Sequence, residues 1–293
     1  MRHSTALPVL TALVLLLAGG CTTPAPESTA HAKPRRDTYV VLLDLSDRLL
    51  EPGQPARDTA LLGQVLRRFV TGARQKLYAG SADRLKVVVA EQGGTPAAVL
   101  AAAQAPLAID LGHTPLLERR QVGKAARALQ ARVAALYGLA AQGHHRQDYA
   151  GAELWHYFAE RLALDFSPEP AMYEEHAYLL VLTDGYLDFE NYTNRRQDGQ
   201  RSSSTRFVST LARQGAQWPA TFAQGRLGLL PFPAAPALRQ VQTLVAEIHP
   251  HSEYHFDILQ ATWQQWLHES GMPVPRLLPR TDLAALRAQL DQW

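Results

Sequence analysis

The chain has a single cysteine, Cys21, among 293 residues. One thiol excludes an intramolecular disulfide framework and any cysteine-rich metal site. An excess of one charge is also missing: 29 basic residues face 27 acidic ones. The net charge of +2 becomes +1 once the first twenty residues, which carry Arg2 and no acid, are set aside. That balance gives no reason to expect nucleic acid or a strongly charged partner. Two catalytic signatures are absent as well. No Gly-x-Ser-x-Gly elbow occurs, which argues against an α/β-hydrolase, and no Gly-x-x-x-x-Gly-Lys occurs to cradle a phosphate. There is no internal repeat.

Long hydrophobic runs are scarce, and the longest lies at the N-terminus. Arg2 and His3 precede an almost wholly apolar stretch, 6–17, which ends in Ala18-Gly19-Gly20-Cys21. The stretch is shorter than the ~20 residues of a membrane span. A polar start, an apolar stretch and small residues together read as a secretory signal over 1–20. Small residues running into a cysteine resemble the bacterial lipobox, although Ala18 stands where leucine is usual. The resemblance implies that Cys21 is lipidated and becomes the mature N-terminus. It also implies a place in the bacterial cell envelope, outside the cytoplasm, with membrane contact through the lipid. An ordinary cleaved signal with an incidental cysteine is the alternative. Residues 21–36 are rich in Thr, Pro, Ser and Ala and end in Lys33, Arg35 and Arg36. That is the composition of a tether, too poor in large apolar side chains to make a core. The folded part is expected over 37–293, as one α/β domain.

Within that part, Tyr39-Val40-Val41-Leu42-Leu43 is an uninterrupted apolar run. It reads as a fully buried central strand of a parallel sheet. It ends in Asp44-Leu45-Ser46-Asp47-Arg48, a cluster of small oxygen-bearing side chains closed by a cation. The pattern recurs in Ala177 to Leu182, which ends in Thr183-Asp184-Gly185. Helical periodicity predicts helices over 56–78, with Asp58 as N-cap, and over 116–141, 152–164, 207–214, 236–245, 254–270 and 281–292, the last capped by Thr281. Strands are expected over 84–90 and 226–232. A further one at 106–111 pairs antiparallel, and a last edge strand lies at 273–278. Alternating strands and helices specify a doubly wound, mostly parallel α/β sheet flanked by helices. Ligands of such sheets bind outside the carboxyl ends of the strands.

Asp44, Ser46 and Asp184 are hard oxygen donors, suited to magnesium, manganese or calcium. The segments VVLLDLSDR (40–48) and LLVLTDG (179–185) resemble those of the von Willebrand factor A (VWA) family. There the first strand ends in Asp-x-Ser-x-Ser and the fourth in an Asp, often as Thr-Asp-Gly. The resemblance implies a metal-ion-dependent adhesion site (MIDAS) built from Asp44, Ser46 and Asp184, with Thr183 beside it. It also implies a binding or assembly role, without enzymatic activity, toward a protein partner that offers an acidic side chain to the metal. Two positions depart from the family pattern. Arg48 replaces the second serine, and by pairing with Asp44 or Asp184 it would close the site without an ion. The loop threonine has no equivalent, its place falling in 148–153, where Asp148 or Glu153 is the substitute ligand on offer.

A divalent-metal-dependent hydrolase of phosphatase type, using the same strand ends with Asp47 or Asp188 as base, is the alternative from another class. Asp44-Leu45-Ser46 also resembles the first motif of haloacid-dehalogenase-type phosphatases, but Ser46 stands where the general acid is required. His251 and His255 read as a solvated loop and helix start. Trp263 and Trp266, three apart on one helix face, read as core.

Overall fold

The computed structural model describes residues 33–90, 95–143, 145, 148–149, 152–166, 172–188, 195–224 and 226–293. Cys21, the signal segment and most of the tether lie outside them. Residues from Pro34 onward form one compact unit.

The run 39–43 lies in the middle of the molecule, as its composition requires. Strand β1 (Arg35–Leu43) starts two residues before the expected domain boundary, so Arg35 and Arg36 belong to the sheet rather than to the tether. Every residue from Tyr39 to Leu43 is at most 4% exposed. The flanking strands are β2 (Arg84–Val89) and β4 (Glu174–Leu182), both parallel to β1. Short β3 (Ala108–Asp110) pairs antiparallel with β2, as its sequence suggested. On the other side β8 (Gln242–Ile248) and the edge strand β9 (Arg276–Pro279) continue the parallel sheet, giving the order β3-β2-β1-β4-β8-β9.

Helices cover both faces because the strand side chains alternate between two apolar layers. Tyr39, Val41, Leu43, Leu180 and Leu182 pack in one layer. It is covered by α1 (Gln54–Gln75), α4 (Val122–Ala140) and the terminal α10 (Leu283–Asp291). Helices α2 (Ala97–Gln104) and α3 (Leu116–Arg119) precede α4, so the single helix expected over 116–141 is broken in two. Val40, Leu42, Leu179 and Val181 join the other layer. That side holds α5 (Leu154–His156), a π-turn over Tyr157–Arg161, α6 (Leu162–Asp165), α7 (Phe207–Ala212), α8 (Trp218–Gln224) and α9 (His255–Glu269). Trp263 and Trp266 are the core residues their spacing predicted. Both are fully buried, with ring centroids 5.8 and 5.0 Å from that of Phe158. Each indole N–H meets a carbonyl: Trp263 donates to Gly185 at 2.9 Å and Trp266 to Leu230 at 3.0 Å.

Two further segments differ from the sequence reading. Residues 236–245 are not a helix: a 3₁₀ turn over Pro236–Gln240 leads straight into β8. The strand expected over 226–232 shrinks to β7 (Gly228–Leu229), which joins β5 (Gln197–Asp198) and β6 (Arg201–Ser202) in a small separate sheet. Caps shift as well. Asp282, not Thr281, caps α10, its carboxylate accepting from the N–H groups of Ala284 and Ala285.

Leu180 is fully buried at the middle of β4. Leu180→Ala is therefore expected to cost about 2–5 kcal/mol of stability, read as a lowered midpoint in urea unfolding. A midpoint unchanged from the parent would contradict this packing.

Candidate functional site

From β1 the chain turns outward to β2 and later returns to the opposite side of β1 as β4. The gap between the carboxyl ends of β1 and β4 is therefore the topological switch point, the crevice where open α/β sheets take ligands. Register brings the two predicted segments together there. Leu43 pairs with Leu182, and the Asp44 N–H continues the ladder to the Leu182 carbonyl at 3.1 Å. Asp44 and the Thr183-Asp184 pair thus leave adjacent strands side by side.

The local bonds fix the first carboxylate tightly. One oxygen of Asp44 accepts from the Ser46 backbone N–H at 2.9 Å, and the other accepts from the Thr183 hydroxyl at 2.7 Å. Asp44, Ser46 and Thr183 are buried. The Ser46 hydroxyl also donates to the Asp44 carboxylate. Asp184 is half-buried and accepts from the Tyr186 N–H at 3.0 Å. Gly185 is required at the turn between them: φ is +97°, and a Cβ there would stand 2.8 Å from the Ile248 side chain. Burial pushes the Asp44 carboxyl up, against the opposing pull of Arg48, the Thr183 hydroxyl and Ser46. Asp184 is pushed up to about 7, first by burial and second by the charge of Asp44. Two acids in one desolvated crevice resist double ionisation.

Arg48 does not lock these acids through its guanidinium, as its position had suggested. It turns the other way and forms a two-pronged pair with Asp58, at 2.6 and 3.1 Å, while donating to the Asp44 backbone carbonyl at 3.2 Å. Asp58 is not the helix N-cap. It lies a full turn inside α1, fully buried, and also accepts from the Tyr137 hydroxyl at 2.8 Å and the Gln54 amide at 2.8 Å. Burial alone would weaken the charge on Arg48, but the Asp58 carboxylate more than offsets it and holds the guanidinium protonated.

A residue missed in the sequence stands on the same edge. Glu247 has φ +72° at a β-bulge between Ala246 and Ile248, and its side chain is buried. Arg57 holds it bidentately at 2.9 and 2.8 Å, and Gln54 donates to it at 3.1 Å. A cavity of about 50 Å³ is bounded by Asp47, Arg48, Asp184, Glu247, His249 and His251. A bulged, left-handed glutamate inside a strand is the kind of backbone outlier found at functional edges. The run Thr243-Leu244-Val245, ending before Pro250, is the strand signal that would have exposed it.

Asp148 accepts from the His145 N–H at 2.9 Å and lines a separate cavity of about 360 Å³ with Leu45, Val99 and Tyr149. Glu153 is half-buried just ahead of α5. Asp188 is committed to its own loop, accepting from the Ser204 hydroxyl and from the N–H and hydroxyl of Thr205. His255 is not solvated: it is buried, with its Nδ1 on the Tyr186 hydroxyl. No group of three or more His, Cys, Asp or Glu in metal-ligating geometry occurs among the described residues. An ion at this edge would instead rest on two carboxylates and the Ser46 hydroxyl. These donors fit a hard divalent cation in type, and the Asp44 charge that helps to raise Asp184 is a repulsion such a cation would relieve.

Neither a protein-family model nor a curated protein matches this chain. Among solved structures it is similar to the pilus adhesin SpaC from Lactobacillus rhamnosus GG. The open conformation is 13% identical with a TM-score of 0.40, and another crystal form is 14% identical with a TM-score of 0.44. Each alignment covers 89% of this chain but 30% of the adhesin, so the chain spans about a third of that protein's length. A likeness at this level does not bear on function.

Two outcomes follow from the electrostatics. Arg48→Ala leaves a fully buried Asp58 with neutral partners and is expected to cost about 3–5 kcal/mol, measured by urea unfolding. Asp184 binds its proton more tightly folded than unfolded, so its contribution to stability falls as pH rises from about 4 to about 7. Asp184→Asn keeps an acceptor for Tyr186 and removes the charge. Relative to the parent it is expected to be unchanged near pH 4 and more stable above pH 7, by on the order of 2–4 kcal/mol. Equal stability differences at both pH values in chemical denaturation would contradict the assignment.

Proposed function

We propose that this protein is a cell-envelope binding protein whose carboxyl sheet edge presents a divalent cation to a protein partner. Asp44, Ser46 and Asp184 hold the cation, magnesium or else manganese or calcium, and a carboxylate of the partner completes its coordination. The observation that carries this reading is the convergence of Asp44 and Asp184 at the switch point while Arg48 is spent on Asp58. Two acids are left whose charges repel, and a cation supplied from outside suits them. The N-terminal sequence supports an exported, lipid-anchored protein, with Cys21 as the attachment point and 21–36 as the tether. Among the described residues no helix is long and apolar enough to cross a membrane. The hydrolase alternative is weakened, because Asp188, one of its two bases, is bound up in the loop it anchors.

Magnesium is expected to stabilise the parent chain, by about 2.7 kcal/mol at a hundredfold excess over its dissociation constant. Thermal shift and calorimetry read this directly. Asp184→Asn is expected to abolish the response while remaining folded. No response of the parent to millimolar magnesium, manganese or calcium would overturn the proposal.

A further inference from the structure

The opposite end of the sheet carries a second feature that the carboxyl-edge site does not use. A cavity of about 500 Å³ opens between the start of β1, the second half of α1 and the end of α10. Its wall includes Arg35, Gln64, Arg67, Arg68, Thr71 and Lys76, with Asp37 and Asp291 as the acids. Residues 64, 67, 68, 71 and 75 recur at spacings of three and four, so they form one polar face of α1 turned toward the cavity. Arg67, Thr71 and Gln75 are exposed, and Arg68 is half-buried against the end of α10.

One acid in that wall is already paired with cations, and the other meets a neutral amide. Asp37 accepts from Arg35 at 2.8 Å and from Lys76 at 3.0 Å. Asp291 accepts from the Gln64 amide. Arg67 and Arg68 are different. Arg67 donates to the Gln64 carbonyl oxygen, and Arg68 donates to the Leu290 backbone carbonyl while lying 5.1 Å above the Tyr178 ring. Among the described residues neither guanidinium is paired with a carboxylate. A guanidinium has five N–H donors in a planar fork that matches a tetrahedral oxyanion. Arg67 has used few of them, and the Leu290 carbonyl, the Tyr39 hydroxyl and the Tyr178 ring hold Arg68 in place. Two such forks and the Thr71 hydroxyl line one wall of the cavity.

We propose that this cavity binds a phosphate group, with Arg67 and Arg68 as its principal ligands and Thr71 as a neutral donor. The group arrives either as free phosphate or as the head group of a phospholipid. β1 enters the fold at Arg35, on the rim of the same cavity, so a chain tethered at its N-terminus would bring this end toward the bilayer. The proposal is independent of the cation site.

The test uses the full chain and its Arg67→Gln/Arg68→Gln variant. Inorganic phosphate is titrated by calorimetry at low salt, and sedimentation is measured with vesicles of phosphatidylcholine alone or with added phosphatidylglycerol. The expected result is saturable phosphate binding that weakens about tenfold or more in the double variant. Stronger retention of the parent on phosphatidylglycerol vesicles, lost in the variant, identifies the head group as the source. Phosphate binding lost in the variant while parent and variant are retained equally on every vesicle identifies free phosphate. The N-terminal segment is common to both chains, so their difference reports on the cavity. If the double variant fails to fold, Arg67→Gln alone serves, because Arg67 is exposed and bonded to Gln64. Absence of phosphate binding by the parent, or binding undiminished in the folded variant, overturns the proposal.

Discussion

The buried pair between Arg48 and Asp58 is the interaction on which the carboxyl edge of this protein depends. Both side chains are removed from water, which is costly for each alone and tolerable only when they meet with good geometry and further hydrogen bonds. Gln54 and Tyr137 supply those bonds to Asp58, and the Asp44 backbone carbonyl takes the remaining reach of Arg48. The consequence is a separation of charges. The one cation placed by sequence beside Asp44 is drawn into α1. Asp44 and Asp184 are left side by side at the switch point, where hydrogen bonds and the charge of Arg48 moderate them.

The same helix organises the other side of the crevice. Its first turn supplies Gln54 and Arg57 to Glu247, and Arg57 also donates to the Thr281 carbonyl ahead of α10 at 2.7 Å. One continuous polar network therefore runs from Asp44, through Arg48, Asp58 and Gln54, to Glu247 and the start of the last helix. Networks that are satisfied throughout in a low-dielectric interior are stiff. The strained backbone at Glu247 fits this: a bulge that costs of order 1–3 kcal/mol persists because three donors, two from Arg57 and one from Gln54, hold its side chain in place. The edge is a rigid mount, which suits a site that must present fixed oxygen atoms.

Much of this was legible in the sequence, for a physical reason. A strand buried on both faces has to be apolar throughout, so 39–43 and 177–182 announced themselves, and the polar residues that ended them marked the carboxyl edge. Their parallel pairing and the placement of Asp44 beside Thr183 followed from the alternation of elements. β8 was hidden because Leu238, Val241, Leu244 and Val245 recur at spacings of three and four, a pattern a helix shares with a strand that follows a 3₁₀ turn. Glu247 was lost with it. The partner of Arg48 was also out of reach. Asp58 is ten residues away along the chain, and nothing local distinguishes a helix cap from a buried counter-ion. Tyr186 and His255, 69 residues apart, show the same limit: one histidine ring is buried by a tyrosine that no periodicity connects to it.

The carboxyl group of Asp184 reports most directly on the central claim, that two acids share this crevice without a cation of their own. Its titration can be followed by carbon-detected NMR on the chain with and without magnesium, with Asp184→Asn to assign the signal. The expected midpoint is near 7 in the absence of the ion and lower when magnesium is present. A midpoint at the ordinary aspartate value, about 4, that magnesium does not move would show that the two carboxylates neither repel each other nor await a cation.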